Sequence, residues 1–259
     1  MKRSLSILVC CGLLLSTSVF AQKAKSSKQS KKTTATPAGA TTTAPTPQTL
    51  ADKDAASRKA DPEMALLDSL QKSDKRYESI EEALKEPEAV RFLDLHEKNI
   101  TSLPPEIGKF VNMHTLSLYG NQLTSIPAEF GNLKSLKSVD FGKNQLTEVP
   151  ACVTKLKQLK VLYFTSNQIS KLPKELFGLT TLNVLDFGGN QLTAIPPDMG
   201  KLTNVRLLNL RYNRIEALPD NMGKMKNLEI IMLNNNPIPE KELRKIDKML
   251  KSTDIRFTY

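Results

Sequence analysis

The chain has 259 residues, 15 prolines, three cysteines, two histidines, no tryptophan and a formal net charge of +10 at pH 7. So few histidines and cysteines leave little material for a zinc site or an acid-base constellation. The charge is uneven: residues 22–60 carry +6 and residues 61–259 only +2, which argues against a duplex-binding basic domain.

Residues 1–21 open with Lys2 and Arg3, run through an apolar stretch from Leu5 to Leu15 and close on Val19-Phe20-Ala21. This is the layout of a secretory signal peptide, and the apolar run is too short and too interrupted for a membrane span. Its removal leaves Cys152 as the single thiol, so no internal disulfide is expected. Residues 22–60 hold eight Lys or Arg, two Asp, many Ser, Thr, Ala and Pro, and almost no large apolar group. Such a segment cannot offset the entropy of ordering and is expected to be a disordered linker, making at most peripheral contact with an anionic membrane surface.

Residues 61–89 are expected to form a helical N-terminal cap. Asp61-Pro62 opens a helix, Leu66, Leu67 and Leu70 give it an apolar side, Ser79-Ile80-Glu81-Glu82 is a capping-box pattern, and Pro87 ends a second helix.

From residue 90 to 236 the chain repeats. Asn121, Asn144, Asn167, Asn190, Asn213 and Asn236 lie 23 residues apart, each two places before a Leu or Ile. A strict period of this length builds stacked coils, because no single unit can bury its own apolar edge. Two columns two residues apart, Leu93 to Ile231 and Leu95 to Leu233, alternate as a strand with one buried face does. An asparagine suits the following turn, since its amide can both donate to and accept from backbone groups that have left the ladder. In the first unit Lys98 stands in the asparagine column and is expected to reach solvent while the preceding segment supplies the missing partners. A Pro column (Pro104, Pro127, Pro150, Pro173, Pro196, Pro219) predicts an extended or tightly turned return path rather than a second sheet. Ile107, Phe130, Val153, Leu176, Met199 and Met222 are expected to point inward from it. Cys152 falls in a column otherwise held by Glu106, Glu129, Glu175, Asp198 and Asn221, which predicts a partly exposed convex position.

Residues 237–259 read as a C-terminal cap, with Leu243, Ile246 and Leu250 as a helical stripe and Ile255, Phe257 and Tyr259 alternating as a closing strand. The whole pattern, Leu-x-x-Leu-x-Leu-x-x-Asn-x-Leu-x-x-Leu-Pro over seven units, resembles the leucine-rich repeat family. The stretch from Ile80 to Val90 is similar to the segment that precedes the first repeat in secreted bacterial members. The resemblance implies an α/β fold: a right-handed solenoid with a concave parallel β-sheet and helical N- and C-terminal caps. It further implies a protein-interaction role.

Asp140-Phe141-Gly142 and Asp186-Phe187-Gly188 spell the magnesium-binding triplet of protein kinases. They lie two periods apart inside the strand columns, with no phosphate loop, and their phenylalanines are accounted for as core. No catalytic, metal-binding or cofactor-binding residues are expected, and the protein is read as no enzyme.

Between the buried columns, side chains should line the concave face in rows. The middle row is Asp94, Ser117, Asp140, Tyr163, Asp186, Asn209, Met232; one neighbouring row includes Val161, Val184, Leu207 and Ile230, the other His96, Tyr119, Gly142, Gly188 and Arg211. Partner contacts are assigned to Asp94, His96, Tyr119, Asp140, Val161, Tyr163, Asp186, Leu207, Asn209, Arg211 and Met232, with shallow room beside Gly142, Gly188 and Gly189. The expected partner is a protein or peptide and not a nucleic acid, the expected location outside the cytoplasm or at the cell surface, and the expected state monomeric. The alternative is an intracellular signalling scaffold, since Leu-Pro repeats also resemble those of cytoplasmic Ras-binding and plant immune proteins.

Overall fold

The computed structural model describes residues 75–256. The leader, the linker, the first part of the N-terminal cap, Phe257 and Tyr259 lie outside the described residues.

Nine strands form one parallel sheet in chain order: β1 (Arg76–Tyr77), β2 (Phe92–Asp94), β3 (Thr115–Ser117), β4 (Ser138–Asp140), β5 (Val161–Tyr163), β6 (Val184–Asp186), β7 (Leu207–Asn209), β8 (Ile230–Met232) and β9 (Asp254–Arg256). From β2 to β8 the register advances by the sequence period, so that Leu93 lies beside Leu116, Val139, Leu162, Leu185, Leu208 and Ile231 in turn. Identical columns therefore stack, and every residue of this one is at most 1% exposed. In the next core column, Phe141, Phe164 and Phe187 stack with ring centroids 5.1 and 5.3 Å apart.

The return path consists of 3-10 turns: Pro105–Lys109, Ala128–Asn132, Val153–Lys155, Lys174–Gly178, Pro197–Lys201 and Asp220–Lys224. In five coils the column proline is the last extended residue before the turn (Pro104 has φ −72° and ψ 152°), so its fixed φ and missing N–H carry no cost there. Ile107, Phe130, Val153, Leu176, Met199 and Met222 all point inward and are fully buried. Successive turns pack closely because of glycine: a Cβ at Gly108 would lie 2.7 Å from the Glu129 carbonyl oxygen of the next coil.

Each column asparagine reaches back one coil. Its Oδ1 accepts from a backbone N–H of the preceding coil (Ile100, Leu123, Leu146, Ile169, Leu192 or Ile215) at 2.9–3.0 Å. Its Nδ2 donates to a carbonyl of that same coil at 2.8–2.9 Å. This direction explains Lys98, which is exposed as expected. Asn121 of the second coil accepts from the Lys98 N–H at 3.1 Å, so the first coil draws its amide from the coil after it and not from the segment before it.

The third position after each strand has positive φ in all seven coils, from Glu97 (52°) through Gly120, Lys143, Ser166, Gly189 and Tyr212 to Asn235 (56°). The left-handed residue turns the chain out of the sheet, and for six of the seven its N–H bonds the next coil's carbonyl, as Glu97 does to Tyr119 at 2.8 Å.

Two further expectations are corrected. Ahead of the second N-terminal helix an unexpected strand, β1, extends the sheet, with Tyr77 1% exposed, and that helix is shortened to one turn, α1 (Ile80–Ala83). Its N-cap Ser79 accepts from the Glu82 N–H at 3.1 Å. Cys152 is buried, not partly exposed. Ala151 and Cys152 begin turning before a shortened 3-10 segment (Cys152 φ −62°, ψ −34°), which rotates the thiol inward. A small apolar side chain is tolerated there where a carboxylate would not be. At the other end, α2 (Glu240–Met249) buries Ile246 and leads into β9.

Candidate functional site

Strand alternation puts Leu93-type residues inside and sets their neighbours on the concave sheet, where the assigned residues separate into those that remain accessible and those that do not. Val161 is fully buried and Tyr119 is 8% exposed, so neither offers a partner a side-chain face. Asp94 and Asn209 are also buried. Asp94 pairs with Arg76 of β1, and its Oδ1 lies 2.6 Å from His96 Nδ1 and accepts from the His96 N–H. This first-coil cluster ties β1 to the repeats.

The expected room beside the glycines is filled. A Cβ on Gly142 would meet Asp140 Oδ1 and the Tyr119 ring, both at 2.9 Å, and one on Gly188 would meet Asn209 Nδ2 at 2.8 Å. Side chains from adjoining coils lean over the gaps, an arrangement invisible when rows are read one at a time.

What remains accessible is centred on β5. Tyr163 is partly exposed and lies beside Asp140 on one side and Asp186 on the other. Burial pushes the Asp140 carboxyl up to about 7; the Gly142 N–H, donating at 2.7 Å, opposes the rise and the charge of Asp186 reinforces it. Burial also raises Asp186, against the Gly188 N–H at 2.7 Å, the Asn209 amide at 2.8 Å, the Thr165 hydroxyl and the Arg211 guanidinium. Val184, Leu207, Ile230 and Met232 continue the face toward the C-terminal coils, all partly exposed and all apolar.

Sequence reasoning passed over Tyr212, which is 57% exposed at the rim next to Arg211 with φ 54°. The available signal was an aromatic side chain in a column otherwise held by Glu, Gly, Lys, Ser and Asn. Among the described residues, no group of three or more His, Cys, Asp or Glu is placed to hold a metal ion, and no helix is long and apolar enough to cross a membrane.

A family model described as a leucine-rich repeat region matches residues 69–166 and 151–257. A search of curated proteins returns no match. Among solved structures the chain is similar to a leucine-rich repeat protein of Leptospira interrogans, at 24% identity and a TM-score of 0.51 over 71% of this chain and 58% of that one. It is also similar to an internalin of Listeria monocytogenes, at 22% identity and a TM-score of 0.59 over 70% of this chain and 53% of that one. The chain therefore spans somewhat more than half the length of each of these structures.

Proposed function

This chain belongs to the leucine-rich repeat family, and on that premise we propose that it is an exported, non-enzymatic module that receives a protein or peptide partner on its concave sheet. The observation that carries the reading is the cluster of partly exposed apolar residues, Tyr163, Val184, Leu207, Ile230 and Met232, on adjacent strands of one face. Contiguous apolar surface of this kind marks interaction sites, and aromatic and arginine side chains such as Tyr163, Arg211 and Tyr212 are the usual anchors at its edge. The basic and apolar layout of residues 1–21 supports export.

The test combines Tyr163→Ala with Leu207→Asp in the full chain and follows a cross-linked partner from the cell envelope. An unchanged circular dichroism spectrum with loss of the partner is expected; a partner retained at wild-type yield rejects the concave site. Export is checked separately by mass spectrometry of the mature N-terminus. Cleavage after Ala21 is expected, and an intact Met1 in the cytoplasm would favour the scaffold reading.

A further inference from the structure

The near-neutral balance of the repeats hides a segregation of charge that the fold brings to one edge. From the last two residues of each 3-10 turn into the first two of the strand after it runs a short segment, and in the six coils these are residues 108–116, 131–139, 154–162, 177–185, 200–208 and 223–231. Together they contain ten Lys or Arg and one acidic residue, Glu229. Because the register advances by one period per coil, Lys137 and Lys160 hold equivalent places on neighbouring coils, as do Lys134 and Lys157. Lys134 and Lys157 each donate to a carbonyl at the end of the next coil's 3-10 turn, at 3.5 and 3.3 Å, which holds their ammonium groups along the flank.

At the C-terminal end of this flank the surface opens into a polar cleft of about 300 Å³, lined among others by Asn183, Asn204, Lys226, Ser252 and the ion pair of Arg206 with Glu229 at 2.7 Å. Its amides are oriented: Asn204 Nδ2 donates to the Thr180 carbonyl at 2.8 Å, and Asn227 Nδ2 to the Thr203 carbonyl at 3.0 Å. Among the described residues, Asn183 Oδ1 is a buried acceptor with no hydrogen-bond partner, a group that a hydroxyl donor would satisfy.

We propose that this flank is a second binding surface, separate from the concave sheet, for a linear acidic polysaccharide whose sulfate or carboxylate groups lie along the lysine rows and one of whose sugar units enters the cleft. Cations repeating at strand spacing suit a linear polyanion. Interleaved amide and hydroxyl groups suit sugar hydroxyls. Single-stranded nucleic acid binds by stacking bases on aromatic rings, and the only Phe, Tyr or Trp side chains in these segments, Phe110 and Phe177, are buried.

The experiment measures binding of heparin, a sulfated linear polysaccharide, to the full chain by titration at several salt concentrations. Two variants lose the same charge: Lys134, Lys137, Lys157 and Lys160 changed to Gln on the flank, and Lys85, Lys98, Lys171 and Lys174 changed to Gln elsewhere. The flank variant is expected to bind at least about tenfold more weakly, with a salt slope reduced by roughly three to four, one per lost contact. The second variant should stay within about twofold, and Arg in place of the four flank lysines should restore binding, since it restores the charge. Asn183→Leu should weaken binding several-fold without changing the salt slope. Equal weakening by both quadruple variants would overturn the proposal, because binding would then follow net charge alone. Tighter binding of a single-stranded oligonucleotide of matched charge, or full affinity in Asn183→Leu, would overturn it as well.

Discussion

Asn167 shows how much one side chain can hold. Its Oδ1 accepts from the Leu146 N–H at 3.0 Å, and its Nδ2 donates to the carbonyls of Phe141 and Phe164 at 2.9 and 3.1 Å. Asn167→Ala strands three buried backbone groups at once, so chemical denaturation should show a loss of roughly 3–6 kcal/mol. That role was legible from the sequence, because a strict column of one amide residue after a strand fits a buried turn and little else. Asp140 was legible only as a surface carboxylate, since its burial arises in the stack, where Ser117 and Tyr163 of the adjoining strands lie beside it. Its folded value of about 7 lies above the ordinary 3.8, so the folded state holds a proton that the unfolded chain releases. The stability from holding that proton is full below about pH 4 and is lost as pH rises through 7. Asp140→Asn keeps an acceptor for the Gly142 N–H, as Asn209 does for the Arg211 N–H at 3.1 Å. Thermal melts should therefore find the variant more stable at pH 8 by about 1 kcal/mol, discounted for partial exposure, and equal to wild type at pH 4.

Strands and return turns followed from the two periodicities, but short elements without a period did not. β1 has two residues and no repeat of its own, so nothing in Arg76-Tyr77 announced a strand; only pairing with Phe92 and Leu93 makes it one. The third coil's 3-10 segment is three residues long where its counterparts are five, and this local shortening misplaced Cys152 in a column reading. Burial raises the Cys152 thiol as well as enclosing it, so both the thiolate fraction and access are low. Alkylation located by peptide mass spectrometry should be slow at Cys152 in the native protein at pH 8 and fast in denaturant. Equal rates in the two conditions would contradict the buried placement.

Across the molecule, repetition made the solenoid readable while concealing what depends on neighbours: the filled spaces beside Gly142 and Gly188, and the lysine-rich flank that whole-domain counting averaged away. Coils in such an array contact mainly their neighbours, so stability behaves as a sum of similar units. Removing Gln168–Asn190, one full period, joins Asn167 to Gln191 and keeps every column in phase. The shortened protein should retain its circular dichroism per residue, with a denaturant slope lower by roughly one-seventh. A deletion three residues shorter should fail to fold, because side chains downstream would face the wrong way.

The backward reach of the asparagines gives the stack a time order as well as a shape. A chain emerging from its N-terminus cannot finish any turn until about twenty further residues have appeared, because the amide that closes it has not yet arrived. The seventh turn has no successor of this kind, and its Ile238 N–H is met instead by the Asn236 carbonyl at 2.9 Å. A nascent chain halted between these points would carry one open winding at its growing tip, and the last one closes with a bond of its own.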